Sequence, residues 1–296
     1  MKRYSVSACV FIKDCFTGAF CLFESMASML PLVEEFIVLD LGSTDGTFEA
    51  LGRIARANKR VKLRRGEWPV IDAGAFATLA NDLIDDCLYD KVLYYQADEI
   101  WHEDLLLRTE DYFSQGRFEL AFWRIQYRDN FQLVKWFPHL VHRVGIKGQF
   151  NFVGDGMSSD RTWDAEICSE YDGSYFQKWH VFHQEGIKPY VHDMIMDVSL
   201  VGAFRDNIAE RRKLHAPFWH ESDDIENKPP DQWLEQARAN PAWTLPTSPY
   251  DMPAIMNWHV GRLRYELRPE LLKALMDDTT WDYIKQEAHV TKGKKM

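Results

Sequence analysis

Apolar residues alternate between two patterns along the first 115 residues, short apolar runs and longer amphipathic segments. The runs have the length and composition of buried strands, whereas apolar residues spaced three and four apart are typical of helices. The predicted strands are Tyr4–Ile12, Phe36–Asp40, Val61–Leu63 and Lys91–Gln96, and the predicted helices are Thr17–Met29, Thr47–Ala57, Ala73–Asp85 and Glu103–Ser114. Strands that alternate with helices form a mostly parallel sheet with helices on both faces, so the pattern predicts an α/β fold.

The pattern changes after residue 115, where strands are no longer followed by helices. The predicted elements here are strands at Glu119–Tyr127, Leu140–Val144 and Lys178–His183, and helices at His192–His215, Gln232–Ala239 and Pro269–Met276. Prolines cluster between Pro229 and Pro253, and the basic end, Thr291–Met296, is predicted to fray. We therefore expect a main domain over residues 1–190 and a loop-rich, helical C-terminal part over residues 191–296.

Two of the predicted strands end in acidic or small polar residues. The first strand end reads Asp40-Leu41-Gly42-Ser43-Thr44-Asp45-Gly46-Thr47, and the second reads Gln96-Ala97-Asp98-Glu99. In open α/β sheets, ligands bind at the carboxyl ends of the strands. The two motifs therefore predict one ligand site shared by both strand ends.

These motifs, in this order, resemble those of the inverting, family-2-type glycosyltransferases with the GT-A fold. That family usually reads D-D-G-S-T-D-G-T and then D-x-D-D or D-x-D-E, and the similarity covers roughly Ser5 to Pro189 and, more weakly, the region around Pro253. The resemblance implies a Rossmann-like GT-A domain with a nucleotide-sugar-binding half (1–115) and an acceptor half (116–190). It also implies a hexosyltransferase that uses a nucleotide sugar.

The second motif is where the resemblance places a divalent cation and the diphosphate of the donor. Asp98 matches the last obligatory aspartate of the family motif, and its carboxylate suits Mn²⁺ or Mg²⁺. Glu99 and His183 are the further metal-ligand candidates, while Gln96 stands where the family usually has a first carboxylate. Gln96 and Ala97 are expected to lie against the donor.

The first motif is where the resemblance places the nucleotide. Asp40 matches the aspartate that accepts a hydrogen bond from the base, commonly from uracil N3–H, which favours a UDP-sugar. Phe11 and Lys13 end the first strand where relatives contact the base, although a core role is equally open for Phe11. Asn81 and Lys188 are the matches for residues near the donor sugar and the diphosphate.

The general base of such a reaction is a carboxylate that follows the metal motif. Asp155, in Gly154-Asp155-Gly156, resembles the G-D-G turn of the family and is the first candidate. Asp160, Asp164 and Glu166 remain alternatives, because each lies in the same stretch of chain.

Composition narrows the class of protein. The chain has 296 residues, 46% hydrophobic, and a net charge of −10. Its five cysteines are odd in number and lack a CxxC pair, which favours a reducing cytoplasm over a disulfide framework. No uninterrupted apolar run approaches the roughly 18 residues that a membrane span needs.

Charge is unevenly distributed, and this leaves the acceptor open. Residues 53–65 are strongly basic and contain no acid, and residues 121–150 are also locally basic. A glycan or related surface molecule is the first expectation for the acceptor. The alternatives are DNA, for an enzyme of the phage type that glycosylates hydroxymethylated pyrimidines, and a catalytically inactive GT-A domain that only binds its ligand.

Overall fold

The computed structural model describes most of the first 167 residues and parts of the remainder. The described residues are 1–16, 20–69, 74–97, 99–128, 133–134, 139–154, 156, 158–162, 164–167, 181–184, 245–246, 254–256 and 267–294. The predicted helices His192–His215 and Gln232–Ala239 lie outside them.

One sheet contains all but two of the described strands. The strands are β1 (Tyr4–Ile12), β2 (Val33–Asp40), β3 (Val61–Arg65), β4 (Lys91–Tyr94), β5 (Glu99–Trp101), β6 (Leu120–Arg128), β7 (Leu133–Val134), β8 (His139–Ile146), β9 (Phe152–Val153), β10 (Ser158–Ser159), β11 (Glu166–Ile167), β12 (Val181–Gln184) and β13 (Leu245–Pro246). The main order is β13-β7-β6-β8-β4-β1-β2-β3, and β9 and β10 form a separate pair.

The centre of the sheet is parallel. Strand β1 pairs in parallel with β2 and β4, and β2 pairs in parallel with β3. Strand β8 runs antiparallel between β4 and β6. Strand β12 lies beside β6 and also pairs with β5. The carboxyl ends of β1 to β4 therefore lie along one edge.

Helices cover the sheet. They are α1 (Leu22–Met29), α2 (Thr47–Ala57), α3 (Ala75–Asp85), α4 (Glu103–Ser114), α5 (Pro269–Met276) and α6 (Thr280–Lys294), and 3₁₀ turns occur at Leu30–Leu32 and Ala254–Met256. None of the described helices is both long and apolar enough to span a bilayer.

Alternation along β1 explains why the sheet is buried on both faces. Val6, Ala8 and Val10 belong to one apolar cluster, whereas Cys9 belongs to a second cluster. Since successive side chains of a strand point to opposite faces, the two clusters lie on the two sides of the sheet. Near-continuous burial of a parallel strand is what helices on both faces produce, so the predicted α/β class is confirmed.

Element boundaries differ from the predictions at several ends. Strand β4 stops at Tyr94 rather than Gln96, and α1 begins at Leu22 rather than Thr17. Helices α2, α4 and α5 have the predicted bounds. Gly116 ends α4: it adopts φ +78°, and the next amide, Arg117 N, donates to Tyr112 O at 3.0 Å.

The C-terminal end corrects one prediction. Residues Thr291–Lys294 belong to helix α6, which the sequence pattern did not predict, and are not a frayed tail. The side chain of Tyr283, on this helix, is buried in the main core cluster. Tertiary packing thus orders a segment whose weak amphipathic pattern gives little local signal.

Candidate functional site

The loops after β1, β2 and β3 converge at the carboxyl edge of the sheet. Leu41 N donates to Ile12 O, and Gly66 N donates to Asp40 O, each at 2.8 Å. In the register of β1 and β2, Ile12 lies opposite Asp40. These bonds extend the strand pairing by one residue on each side of Asp40 and fix its backbone.

Asp14 joins the first loop to the second. Its amide donates to Ser43 Oγ at 2.8 Å, and its Oδ1 accepts from Thr44 N at 2.7 Å. Asp14 has φ +46°, a left-handed conformation that is uncommon for residues other than glycine. Such strain persists where surrounding contacts enforce it, often at functional sites.

Asp40 is completely buried, and its two oxygens have different surroundings. Oδ2 accepts from Gly42 N at 3.2 Å and Ser43 N at 3.0 Å, and Arg65 Nε lies 3.8 Å away. Oδ1 has no hydrogen-bond partner within the described part of the chain. A buried acceptor without a partner is costly, so Oδ1 is suited to accept from a bound ligand.

Aromatic rings cluster around Phe76 on helix α3. Phe11 contacts Phe76 with a centroid distance of 5.6 Å, and Trp68 packs edge-on against Phe76 at 5.8 Å. The ammonium of Lys13 lies 5.1 Å from the Trp68 ring centroid. Phe11 is half-buried against the second core cluster, so it has core contacts without being fully enclosed.

Arg65, at the end of β3, completes this side of the site. Its guanidinium lies 4.4 Å from the Phe48 ring centroid, and its Nη2 donates to Ser43 O at 3.2 Å. The carboxyl end of β3 thus supplies a cation next to Asp40. The sequence pattern does not distinguish Arg65 from the other cations of the basic run at residues 53–65.

The segment after β4 carries the second motif. Gln96 and Ala97 are half-buried, and Glu99 N donates to Gln96 O at 3.0 Å, which closes a tight turn between β4 and β5. Asp98 lies outside the described residues. Asp40 lies opposite Ile12 of β1, and Tyr94 lies opposite Cys9 on the other side of β1. The ends of β2 and β4 are therefore two strand spacings apart sideways and three residues apart lengthwise, roughly 14 Å in all.

Glu99 has a partner other than the predicted cation. Its Oε1 and Oε2 accept from Arg143 Nη2 and Nε, each at 2.7 Å, and both side chains are completely buried. Both oxygens are therefore occupied by a bidentate arginine, a geometry that does not fit the predicted role of metal ligand. In the described part of the chain, no group of three or more acidic, histidine or cysteine side chains could hold a metal ion.

Strand β12 brings His183 to the second motif. The Cα of His183 pairs with that of Glu99 across the antiparallel ladder and with that of Gln126 on the other side. The backbone thus places this predicted ligand opposite Glu99, the last residue of the second motif. Lys188 lies outside the described residues.

The turn with the predicted general base is anchored to helix α3. Asn81 Oδ1 accepts from Phe152 N at 2.8 Å, and Asn81 Nδ2 donates to Phe152 O at 3.1 Å. The oxygen and the NH₂ of the Asn81 side-chain amide thus both bond to the backbone of Phe152, and we call this pair of bonds the Asn81 clamp. The contact of Asn81 with the donor sugar stays a prediction. The Phe152 ring lies 4.4 Å from that of Tyr94, the last residue of β4.

Glycines shape the same turn. Gly154 and Gly156 have φ of +59° and +75°. A Cβ at Gly156 would lie 3.2 Å from the backbone carbon and oxygen of Phe76, so only glycine permits this approach. Asp155 itself lies outside the described residues, between two glycines whose positions are fixed.

The alternative carboxylates have structural partners. Asp160 Oδ1 accepts from Asn151 N at 2.9 Å, Asp164 lies 3.6 Å from Arg161, and Glu166 pairs with Arg117. All three carboxylates are exposed. None of these contacts is with the strand ends that carry Asp40 or Gln96.

His142 is a buried histidine that the sequence did not single out. Its Nδ1 lies 2.7 Å from Ser159 Oγ, and its Nε2 has no partner among the described residues. Burial lowers the pKa of His142 to about 4. The neutral imidazole thus connects β8 to the β9–β10 pair.

Comparisons with known proteins show similarity only at the level of structure. No model of a known protein family matches the sequence, and no curated protein matches it significantly. The crystal structure of S. aureus TarS 1-349 aligns over 98% of this chain and 92% of its own, with 12% identity and a TM-score of 0.37. A mannosyltransferase from Pyrobaculum calidifontis, solved with GDP-Man and Mn²⁺, aligns over 94% and 88%, with 14% identity and a TM-score of 0.37.

A longer TarS structure aligns less completely. That alignment covers 42% of this chain and 22% of TarS, with 16% identity and a TM-score of 0.29. TM-scores below 0.5 are too low to carry conclusions about function, which depend on the geometry of the site.

Proposed function

We propose that this chain is an inverting glycosyltransferase that moves a hexose from a UDP-sugar to a hydroxyl group of a glycan or related surface molecule. The observation that supports this most directly is Asp40, buried at the carboxyl edge of a parallel sheet with Oδ2 held by backbone amides and Oδ1 without a described partner. Uracil offers an N3–H that can donate to such an oxygen. The half-buried Phe11 and Trp68 supply aromatic surface near the carboxyl ends of β1 and β3.

The proposed reaction needs one carboxylate as a base. Asp155 accepts the proton of the acceptor hydroxyl while the hydroxyl oxygen attacks the anomeric carbon of the sugar. The bond from that carbon to the diphosphate oxygen breaks on the opposite face, which inverts the configuration and releases UDP. The anchoring of Phe152 by Asn81 and the close approach of Gly156 to Phe76 support this role, because both contacts are with helix α3 on either side of residue 155 in sequence.

A bound Mn²⁺ or Mg²⁺ would supply electrostatic neutralisation of the leaving diphosphate. Asp98 is the residue proposed to hold it, and His183 is the second candidate because its Cα pairs with that of Glu99. Glu99 is not part of this proposal, since Arg143 occupies both of its oxygens.

The test measures donor binding and donor turnover separately. Nucleotide sugars that bind the native state raise the melting temperature, so a thermal-shift panel with and without Mn²⁺ identifies the donor. UDP release from that donor then measures chemistry. Binding without UDP release, with every acceptor class supplied, would instead indicate an inactive nucleotide-sugar-binding module.

Three substitutions assign the roles. We expect Asp98→Asn to abolish turnover, and Asp155→Asn to abolish transfer while donor binding persists. Asp164→Asn is the matched control for Asp155, because Asp164 is an exposed carboxylate in the same region and pairs with Arg161. Wild-type turnover in either of the first two variants would contradict the corresponding role.

An exposed basic surface favours DNA as a second candidate acceptor. Arg53, Arg56 and Lys62 are exposed on α2 and β3, and none of them has an acidic partner within the described residues. Cations at such positions can neutralise phosphates and make binding steeply salt-dependent. Electrophoretic mobility shift with duplex DNA separates the two acceptors: absence of retention at low salt excludes DNA.

A further inference from the structure

We propose that Arg143 is a positioning residue that fixes two segments at once, the turn that leads to Asp98 and the turn that carries Asp155. The inference depends on the proposed function for its meaning in catalysis, but its geometry stands independently. Arg143 lies in β8, far in sequence from both motifs. In the sequence it is only one of several cations in the locally basic stretch at residues 121–150.

Contacts of the Arg143 guanidinium reach three segments. Nε and Nη2 donate to the two oxygens of Glu99, the first residue of β5 and the residue that follows Asp98. The guanidinium carbon lies 5.8 Å from the ring centroid of Tyr94, the last residue of β4, and 6.0 Å from that of Phe152. Arg143 thus contacts Tyr94 and Glu99, which flank residues 95–98 in sequence. It also contacts Phe152, in the strand that precedes the Gly154–Gly156 turn.

The bidentate pair constrains direction as well as distance. Two parallel N–H···O bonds fix the plane of the Glu99 carboxylate relative to the guanidinium, and Nη1 donates to His142 O at 3.0 Å, which fixes the guanidinium relative to β8. The β5 end of the Gln96–Glu99 turn is therefore tied to β8. Its β4 end is tied to β8 by strand pairing, in which Leu93 lies opposite Val144.

Stability alone is a poor explanation for this pair. Two completely buried charges lose their hydration, and replacing such a pair with apolar residues of similar volume is often neutral or stabilising. Removal of one partner is different, because the remaining charge is left unpaired in the core. This difference separates a structural role from a positioning role experimentally.

The experiment compares single and double replacements. Arg143→Met removes both hydrogen bonds from Arg143 to the buried Glu99 carboxylate, so we expect a large drop in melting temperature. The double variant Arg143→Met with Glu99→Met removes both charges of the pair, and its melting temperature should return to near the wild-type value. Arg60→Met is the control for loss of a partly buried, ion-paired arginine, since Arg60 pairs with Asp278 and precedes β3 at the amino end of the sheet.

Hydrogen exchange is the readout that does not depend on activity. In the double variant, amides of residues 95–99 and 152–156 should exchange roughly tenfold faster than in the wild type, while the amides of β1 and β2 keep their protection. Arg60→Met should leave both segments unchanged. Wild-type exchange in both segments of the double variant would overturn the proposal, whether or not the protein proves to be a glycosyltransferase.

Kinetics then link the geometry to the proposed reaction. For an active wild type, the double variant should lose on the order of 100-fold in kcat, because small misplacements of reacting groups have effects of that size. UDP affinity should change little, since Asp40 and its loop are not in contact with Arg143. Arg143→Lys, which keeps the charge but not the bidentate geometry, should recover only part of kcat. A double variant with wild-type kcat would refute the positioning role, whereas an inactive wild type would refute only the proposed function.

Discussion

Replacing Asp40 with asparagine should change which nucleobase the protein prefers. The asparagine oxygen can replace Oδ2 and accept from Gly42 N and Ser43 N, which now lie 3.2 and 3.0 Å from that atom. The amide NH₂ then occupies the position of Oδ1, the buried oxygen without a described partner. An acceptor becomes a donor at the point where we propose that the base binds.

The magnitude follows from the hydrogen bond that is lost. A hydrogen bond to a charged group contributes about 1.5–3 kcal/mol. Since about 1.4 kcal/mol corresponds to a factor of ten in affinity, UDP should bind roughly 10- to 100-fold more weakly to Asp40→Asn. Uracil N3–H would face another donor, whereas cytosine N3 is an acceptor and would find a partner. The ratio of UDP to CDP affinity should therefore fall further than the UDP affinity itself.

Calorimetric titration of both nucleotides into wild type and variant measures this ratio. Asp45→Asn is the matched control, because Asp45 Oδ1 accepts from Thr47 N at 3.0 Å and an asparagine oxygen can do the same. The control should keep the wild-type preference. Unchanged UDP affinity and an unchanged ratio in Asp40→Asn would refute the assignment of Asp40 to the base.

Further substitutions and a pH series test the surroundings of the site. Gly156→Ala should lower the free energy of unfolding by at least about 1–2 kcal/mol, because the alanine would have a left-handed backbone and its Cβ would crowd Phe76. Denaturant titration measures this loss, and an unchanged midpoint would contradict the close approach. Asn81→Asp places a carboxylate against Phe152 O and should cost about 1–3 kcal/mol by the same measurement, while equal stability would show that the clamp contributes nothing. The pKa of His142 is lowered to about 4 in the folded protein, whereas histidine in the unfolded chain has its ordinary pKa of 6.5. Between these two values the unfolded chain binds one more proton, so the free energy of unfolding should fall by roughly 3 kcal/mol from pH 6.5 to pH 4. His142→Gln should remove that part of the pH dependence.

Local sequence predicted the first half of the fold well. Strand β1 and helix α4 have the predicted bounds because apolar periodicity, a stop at Gly116 and strand length all indicate the same elements there. Strand β5 was not predicted, since three residues are too few to show a period. Helix α6 was missed for a different reason: it depends on packing against the core, to which its sequence gives little clue.

The sequence predicted the position of the strand end that carries Asp40 but not the partners of its side chains. Asp40 lies where the motif suggested, at the end of β2 and fully buried. The ion pair between Glu99 and Arg143 could not be predicted from the sequence, because β5 and β8 are distant in the chain and do not pair with each other in the sheet. The left-handed Asp14 was equally hidden, since nothing in its neighbours requires φ +46°.

Strand β8 has a consequence for how this chain can be divided. It pairs with β4 on one side and with β6 on the other, so the boundary expected near residue 115 cuts through a continuous sheet. A fragment that ended there would expose the edge of β4 and would lack Arg143, which pairs with Glu99 in the full chain. A chimaera joined beyond Ile146 would instead take β4, β6 and β8 from one parent, and with them both partners of the ion pair between Arg143 and Glu99.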